Sequence, residues 1–227
     1  RFIQSYRFPD FKSKKLARLP RDTILTLWEE ILSLKGPAYN PRWYRTEGGF
    51  VHSGHIQRLD GVHFNAPVMA LPEGGQLGEI TVPVIQAQRR LRKNEWDPLY
   101  RLYYQSVHWV SSLEVGPDGE VWYGLIDDLL GIQYCVPAQT MRLIGAEELS
   151  PISPDIPEED KRIEVSLFDQ TLIAYEKDQV VMHTQVSTGA PAGSLDLEDT
   201  SDEDWIDPET PQGQYHISVK RPSRHMG

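Results

Sequence analysis

Few residues of this 227-residue chain have the types and spacing that chemistry requires. Its one thiol is Cys135, set between Tyr134 and Val136. A reactive thiol needs exposure and a nearby positive charge. The sequence around Cys135 supplies no charge, so it reads as a small buried hydrophobe in a strand. One cysteine also excludes an intramolecular disulfide framework and any Cys-rich zinc site. His52, His55 and His63 cluster in sequence, and the first two are three apart, as on one face of a helix. Their surroundings read as strand and turn, so they are expected at the surface or at a sheet edge, with no metal assigned to them. The run Asp196 to Asp204 belongs to a loop, 194–209, with eight acids and no base. A calcium loop alternates oxygen ligands and places Gly sixth. Ser201 stands sixth here, and the run reads as a solvated insertion.

Three further segments invite a site and admit a simpler account. Gly189-Ala190-Pro191-Ala192-Gly193 follows a strand but lacks the Lys-Ser/Thr of a phosphate loop, and reads as a turn. Thr210-Pro211-Gln212-Gly213, with Pro second and Gly fourth, fits a type I turn. The pairs Trp43-Tyr44 and Trp122-Tyr123 carry stacking surfaces. Strand alternation sends one ring of each pair inward and the other outward. Core packing of at least one ring per pair is the expectation, with glycan stacking as the alternative.

The elements that must position these residues read as strands. Ile163-Glu164-Val165-Ser166-Leu167 alternates, Asp169-Gln170 turns, Thr171 to Tyr175 returns, Lys177-Asp178 turns again, and Val180 to Val186 follows. This is a three-strand antiparallel meander, with a fourth strand expected from Gln214 to Lys220. Upstream there is an internal repeat. Arg18-Leu19, Thr23-Ile24, Leu27 and later Trp43-Tyr44 correspond to Arg101-Leu102, Ser106-Val107, Val110 and later Trp122-Tyr123. Taken alone, Ile24, Leu27, Trp28, Ile31 and Leu32 fit a helical stripe. Their counterparts Val107, Trp109 and Val110 precede a Gly116-Pro117-Asp118-Gly119 turn, so both copies are read as small β-barrels.

Charge divides the chain. Residues 1–144 carry a net +2, residues 145–209 a net −15 and residues 210–227 a net +3, for −10 in all. The acidic, Pro-rich stretch Glu147 to Asp160 reads as an extended linker. The expected organisation is a tail over 1–15, a first repeat over 16–66, a second repeat with a lead-in hairpin over 67–145, a linker over 146–160 and a last domain over 161–227. Hydrophobic content of 39% with 25% charged residues fits a folded chain. The acidic balance disfavours a nucleic-acid partner, and no apolar run approaches the ~20 residues of a membrane span. The chain opens on Arg1 and closes on Arg224-His225-Met226-Gly227 directly after a strand-like run, and reads as cut at both ends.

Three strings together resemble the L,D-transpeptidase catalytic domain of the YkuD type. They are Ile163-x-Val165-x-Leu167-x-x-Gln170-x-Leu172-x-x-Tyr175, Val186-Ser187-Thr188-Gly189, and Thr210-Pro211-x-Gly213-x-Tyr215-x-Ile217. The resemblance covers roughly residues 161–227. The two repeats resemble bacterial SH3-like modules, which often precede such domains in exported cell-envelope proteins. The fold class implied is mainly β: two SH3-like barrels, then the N-terminal meander of a YkuD-type β-sandwich.

The resemblance implies peptidoglycan cross-linking by cysteine acyl transfer between stem peptides, outside the cytoplasm, with no cofactor. It implies that the catalytic His and a Ser-His-Gly-Cys-type motif lie downstream of Gly227, because neither occurs here and Cys135 sits in the second repeat. This segment alone is then expected to be inactive. His225 and Met226 resemble the start of the flap over the substrate cleft and are its expected substrate-binding residues. The alternative reading is a non-catalytic cell-wall or protein-binding module, with the SH3-like repeats as the part that touches glycan or protein.

Overall fold

The computed structural model describes residues 2–37, 40–92, 95–127, 130–186, 188 and 210–219. Among the described residues the chain is mainly β, with fifteen strands in three sheets and only short 3-10 turns between them. The first sheet takes β1 (Phe2–Tyr6), β2 (Lys15–Pro20), β3 (Glu29–Leu32), β4 (Arg42–Thr46) and β5 (Gly49–His52). The second takes β6 (Gln76–Ile80), β7 (Val84–Arg92), β8 (Glu95–Tyr103), β9 (Val107–Val115), β10 (Val121–Ile126), β11 (Gln133–Pro137) and β12 (Met141–Leu143). The third is β13 (Lys161–Ser166), β14 (Thr171–Glu176) and β15 (Gln179–Gln185).

The first two sheets share an arrangement. The first runs β2-β1-β5-β4-β3, and the second contains β8-β7-β11-β10-β9 in the same sense, extended beyond β9 by β6 and β12. In each, a three-strand meander returns its last strand to a preceding hairpin, through Tyr6 opposite Phe50 in one and Cys135 opposite Gln88 in the other. Arg18 lies on β2 and Arg101 on β8, while Trp43-Tyr44 and Trp122-Tyr123 lie on β4 and β10.

Two expectations require correction. The sheets do not close into barrels. In the first, residues 21–28 between β2 and β3 form no strand that bridges the gap. In the second, the outer edge of β9 is taken by β6, with Leu77 opposite Trp109, so β8 has no edge to meet. Residues 2–6, read as part of a tail, form β1, which pairs with both β2 and β5. Residues 29–32 are a strand, in line with the extended reading of that segment.

Cores form where aromatic and β-branched residues face inward. Ile80, Val110, Tyr123, Leu125, Val136 and Met141 are essentially inaccessible to solvent in the second sheet. The irregular segment before β6 crosses one face of that sheet. There the Val68 N–H donates to the Tyr123 hydroxyl at 3.0 Å, and Val68 and Leu71 pack on the core. In the first sheet Trp43 is fully buried, with ring centroids of Tyr6, Phe11 and His52 at 5.7, 4.8 and 5.2 Å. The units also touch through Arg101 and Asp22, 2.9 Å apart.

The meander is as expected: Ala174 lies between Ile163 and Met182, and Leu172 between Val165 and Thr184, all antiparallel. The fourth strand is not. Residues 214–219 carry no strand because no described neighbour offers them a ladder, and Tyr215, Ile217 and Val219 stand exposed. Lys220, its expected last residue, lies outside the described residues. Nor is a turn found at Thr210-Pro211-Gln212-Gly213, where only a bend at Gly213 is present.

The β9–β10 turn separates two costs of a glycine. Gly119 has φ +82° with open space around it, whereas a β-carbon on Gly116 would fall 2.0 Å from Trp122 Nε1. Gly119→Ala is expected to lose about 1–2 kcal/mol from backbone strain alone. Gly116→Ala must displace the Trp122 ring from its 2.9 Å bond to Asp118, at a cost of about 1–3 kcal/mol. Near-ultraviolet circular dichroism checks the difference: the Trp122 signal changes in the second variant and not in the first.

Candidate functional site

The three strings that carry the family resemblance meet in space. After β13 the chain turns at Asp169 and Gln170, where Gln170 takes φ +56°. The Ser166 hydroxyl donates to the Asp169 carboxylate at 2.9 Å and accepts the Asp169 N–H at 3.1 Å, which sets the turn. Gln170 is thereby aimed across the sheet end toward the residues that leave β15. Its Nε2 donates to the Leu167 carbonyl at 2.8 Å and to the Thr188 hydroxyl. Its Oε1 accepts the Thr188 N–H at 3.1 Å, and its own carbonyl accepts the Val186 N–H at 2.9 Å. Thr188 in turn holds the next string, since its carbonyl accepts the Thr210 N–H at 3.1 Å and the Thr210 hydroxyl. One carboxamide therefore joins residues eighteen positions apart, and a second link continues to Thr210. Thr188 is buried, so these donors and acceptors have little access to water.

This hub positions chain and performs no chemistry itself. Amide and hydroxyl groups with their hydrogen bonds already made provide neither a nucleophile nor a base. Arg162 and Glu164 stand 2.9 Å apart on the exposed sheet, and the guanidinium lies 3.9 Å from the Tyr175 ring centroid. The hydrogen bond from Arg162 holds the Glu164 carboxyl below its ordinary range. His225 and Met226, the expected substrate-binding residues, lie outside the described residues, as do the acidic run 194–209 and Gly189 to Gly193.

The remaining candidates are placed as follows. Cys135 is buried on β11, and burial, with the Glu114 charge second, pushes its thiol up to about 11. Arg90 opposes this shift without cancelling it. A thiol held protonated in a strand is not a nucleophile. His52 was expected at the surface or an edge and is instead buried. Its Nε2 faces the Asn40 carbonyl at 2.8 Å, which assigns the proton there, and its Nδ1 accepts the Gly54 N–H at 3.3 Å. Burial lowers its pKa, and with both ring nitrogens engaged it has no lone pair left for a metal. Among the described residues no three His, Cys, Asp or Glu side chains form a group suited to a metal ion.

Both rings of each Trp-Tyr pair are buried, which meets the expectation that at least one ring of each packs in the core and goes beyond it. Alternation holds, but at these positions both faces are covered. Trp122 packs on Trp96 at 5.6 Å, and the segment through Val68 covers Tyr123. These four rings present no exposed stacking platform. The linking role of Gln170 was not legible as such, because a glutamine in a turn gives no periodic signal. Its place in the resembling string was the only cue.

Two measurements check these assignments. Gln170→Ala strips two partners from Thr188 and is expected to cost about 1–3 kcal/mol for the orphaned groups, read as faster hydrogen exchange at the Thr188 amide. The Cys135 thiol rises from 9.0 unfolded to about 11 folded. Burial of the neutral thiol thus supports folding fully below about pH 9 and ceases to do so as pH climbs toward about 11. Alkylation at mildly alkaline pH is expected to be at least about a hundredfold slower in the native protein than in denaturant, one decade per pKa unit.

No helix among the described residues is long and apolar enough to cross a membrane. No curated protein and no solved structure gives a significant match to the chain. A family model, the L,D-transpeptidase catalytic domain YkuD, matches residues 160–226, which span β13 to β15, Gln170, Thr188 and Thr210.

Proposed function

We propose that this chain is part of an extracytoplasmic peptidoglycan L,D-transpeptidase, with residues 161–227 forming the N-terminal portion of its catalytic domain. The observation that carries this reading is the family match over residues 160–226. The hydrogen-bonded union of Gln170, Thr188 and Thr210 supports it, because it draws the family's three strings together at one end of the meander. In this reading the two preceding units, built on the first and second sheets, are SH3-like modules that contact cell-wall glycan or protein, joined to the catalytic domain by the linker 146–160. His225 and Met226 edge the cleft, and the nucleophile lies beyond Gly227.

The reaction is an acyl transfer without a cofactor. A cysteine thiolate, formed by proton loss to a neighbouring histidine, attacks the carbonyl carbon that joins a diamino acid's L-centre to a terminal D-Ala. The C–N bond breaks, the histidine returns its proton to the departing D-Ala amine, and a thioester remains. An amine from a second stem peptide attacks the thioester and gives up a proton to the histidine, the C–S bond breaks, an amide forms, and the thiolate is released. Among the described residues nothing can replace that cysteine, since Cys135 is buried and protonated.

Incubation with a carbapenem, read by intact mass, tests the proposal. The 227-residue chain is expected to gain no mass. The product extended through the downstream cysteine motif is expected to gain one acyl group and to lose that gain on Cys→Ala substitution. An extended product that stays unmodified, while an authentic L,D-transpeptidase is labelled beside it, overturns the enzyme reading and leaves the non-catalytic binding module.

A further inference from the structure

The net charge of −10 conceals a local reversal at the start of the chain. Between Arg7 and Arg21 stand six basic residues, Arg7, Lys12, Lys14, Lys15, Arg18 and Arg21, against the single acid Asp10. All six are exposed, and all lie on the β1–β2 hairpin or directly after it. Arg7 to Lys14 form its loop, and β2 is the outermost strand of the first sheet. The one acid is drawn into the loop, where an Asp10 carboxylate oxygen accepts the Lys12 N–H at 2.8 Å. Among the described residues the only ion pair made by these six is that of Arg21 with Asp22, 3.6 Å apart.

Apolar side chains are interleaved with these cations. Phe8 in the loop is 58% exposed, and Phe2 and Leu16 on the strands are each 49% exposed. The Arg18 guanidinium lies 3.5 Å from the Phe2 ring centroid, and that of Arg7 lies 5.5 Å from the Phe8 ring. The loop is held in this form. Phe11 packs on Trp43 and His52, the Arg7 N–H donates to the Lys14 carbonyl at 2.9 Å, and the Phe8 N–H donates to the Ser13 hydroxyl at 3.1 Å.

We propose that the β1–β2 hairpin is a peripheral docking surface for an anionic lipid bilayer, with its cations on the phosphates and Phe8, Phe2 and Leu16 at the acyl boundary. The charge alone fits any polyanion. The exposed apolar side chains select the bilayer over a polyphosphate-type chain, because rings and a leucyl group gain apolar contact at an acyl boundary and find none along a run of phosphates. The inference stands on residues 2–21 and is independent of the function proposed for residues 160–226.

Sedimentation of the 227-residue chain with vesicles tests it. Binding is expected to phosphatidylglycerol-containing vesicles and not to pure phosphatidylcholine, and to be lost at about 0.5 M salt, where the Debye length shrinks to a few ångströms. The triple variant K12Q/K14Q/K15Q is expected to weaken binding about a hundredfold, from roughly fivefold for each of three cations near an anionic leaflet. Phe8→Ser keeps every charge and is still expected to lose binding severalfold. Both variants alter exposed side chains, and an unchanged thermal unfolding midpoint verifies the fold. Failure to sediment with phosphatidylglycerol vesicles overturns the proposal. So does equal binding by Phe8→Ser and wild type together with equal affinity for soluble polyphosphate, which assigns the surface to a soluble polyanion.

Discussion

A β-sheet has two faces, and a stable domain must cover at least one with apolar side chains. How each sheet of this chain meets that requirement governs the rest of the structure. The first two sheets meet it within themselves, by returning a hairpin to the end of a meander and laying irregular chain or aromatic rings across what remains open. Trp43 beneath Phe11 and Tyr123 beneath the Val68 segment are the two clearest examples. The third sheet does not meet it among the described residues, where Ile163, Val165 and Met182 lie on one face and each is about half exposed. That contrast matches the division of labour proposed for the chain. The first two units bury cores of their own, whereas among the described residues the third provides strands and a hydrogen-bonded hub without such a core.

The hub illustrates how a short motif acts at a distance from reactive atoms. Gln170 has both ends of its carboxamide engaged, and Thr188 uses hydroxyl, amide and carbonyl together. A network in which every member is satisfied adds rigidity, whereas one with a missing partner is costly. Gln170, Thr188 and Thr210 therefore fix the course of the backbone at one end of the meander.

Much of this architecture was legible in the sequence, and the reasons are local. The meander of residues 161–185 announced itself by alternation and by its two short turns, because strand period and turn chemistry are properties of neighbouring residues. The strand at residues 29–32 was legible only through the repeat, since its apolar spacing fits a helix equally well. What failed required long-range information. That β6 occupies the edge of β9 depends on residues some thirty positions apart, and no pattern within β9 reveals it. That residues 2–6 join the first sheet depends on β5, far along the chain. The Trp-Tyr pairs were legible as core, but burial of the second ring of each was not, because the cover on the other face comes from residues outside those strands. The basic hairpin went unread for a related reason: a total charge of −10 averages a positive edge against a negative loop.

The openness of the first two sheets leaves free edges, which in many proteins invite strand-to-strand self-association. The residues on those edges counter it. β3 is only four residues long and begins with Glu29 and Glu30; β2 carries Lys15 and Arg18 and ends at Pro20; β8 carries Glu95, Asp97 and Arg101 and is interrupted by Pro98. Short length, charge and proline each discourage a second copy from adding a strand. An unclosed sheet thereby carries, on these edges, features that oppose strand-to-strand pairing. The same substitutions that would make these edges smoother and more apolar, and so more barrel-like to the eye, would be the ones to turn this chain toward aggregation.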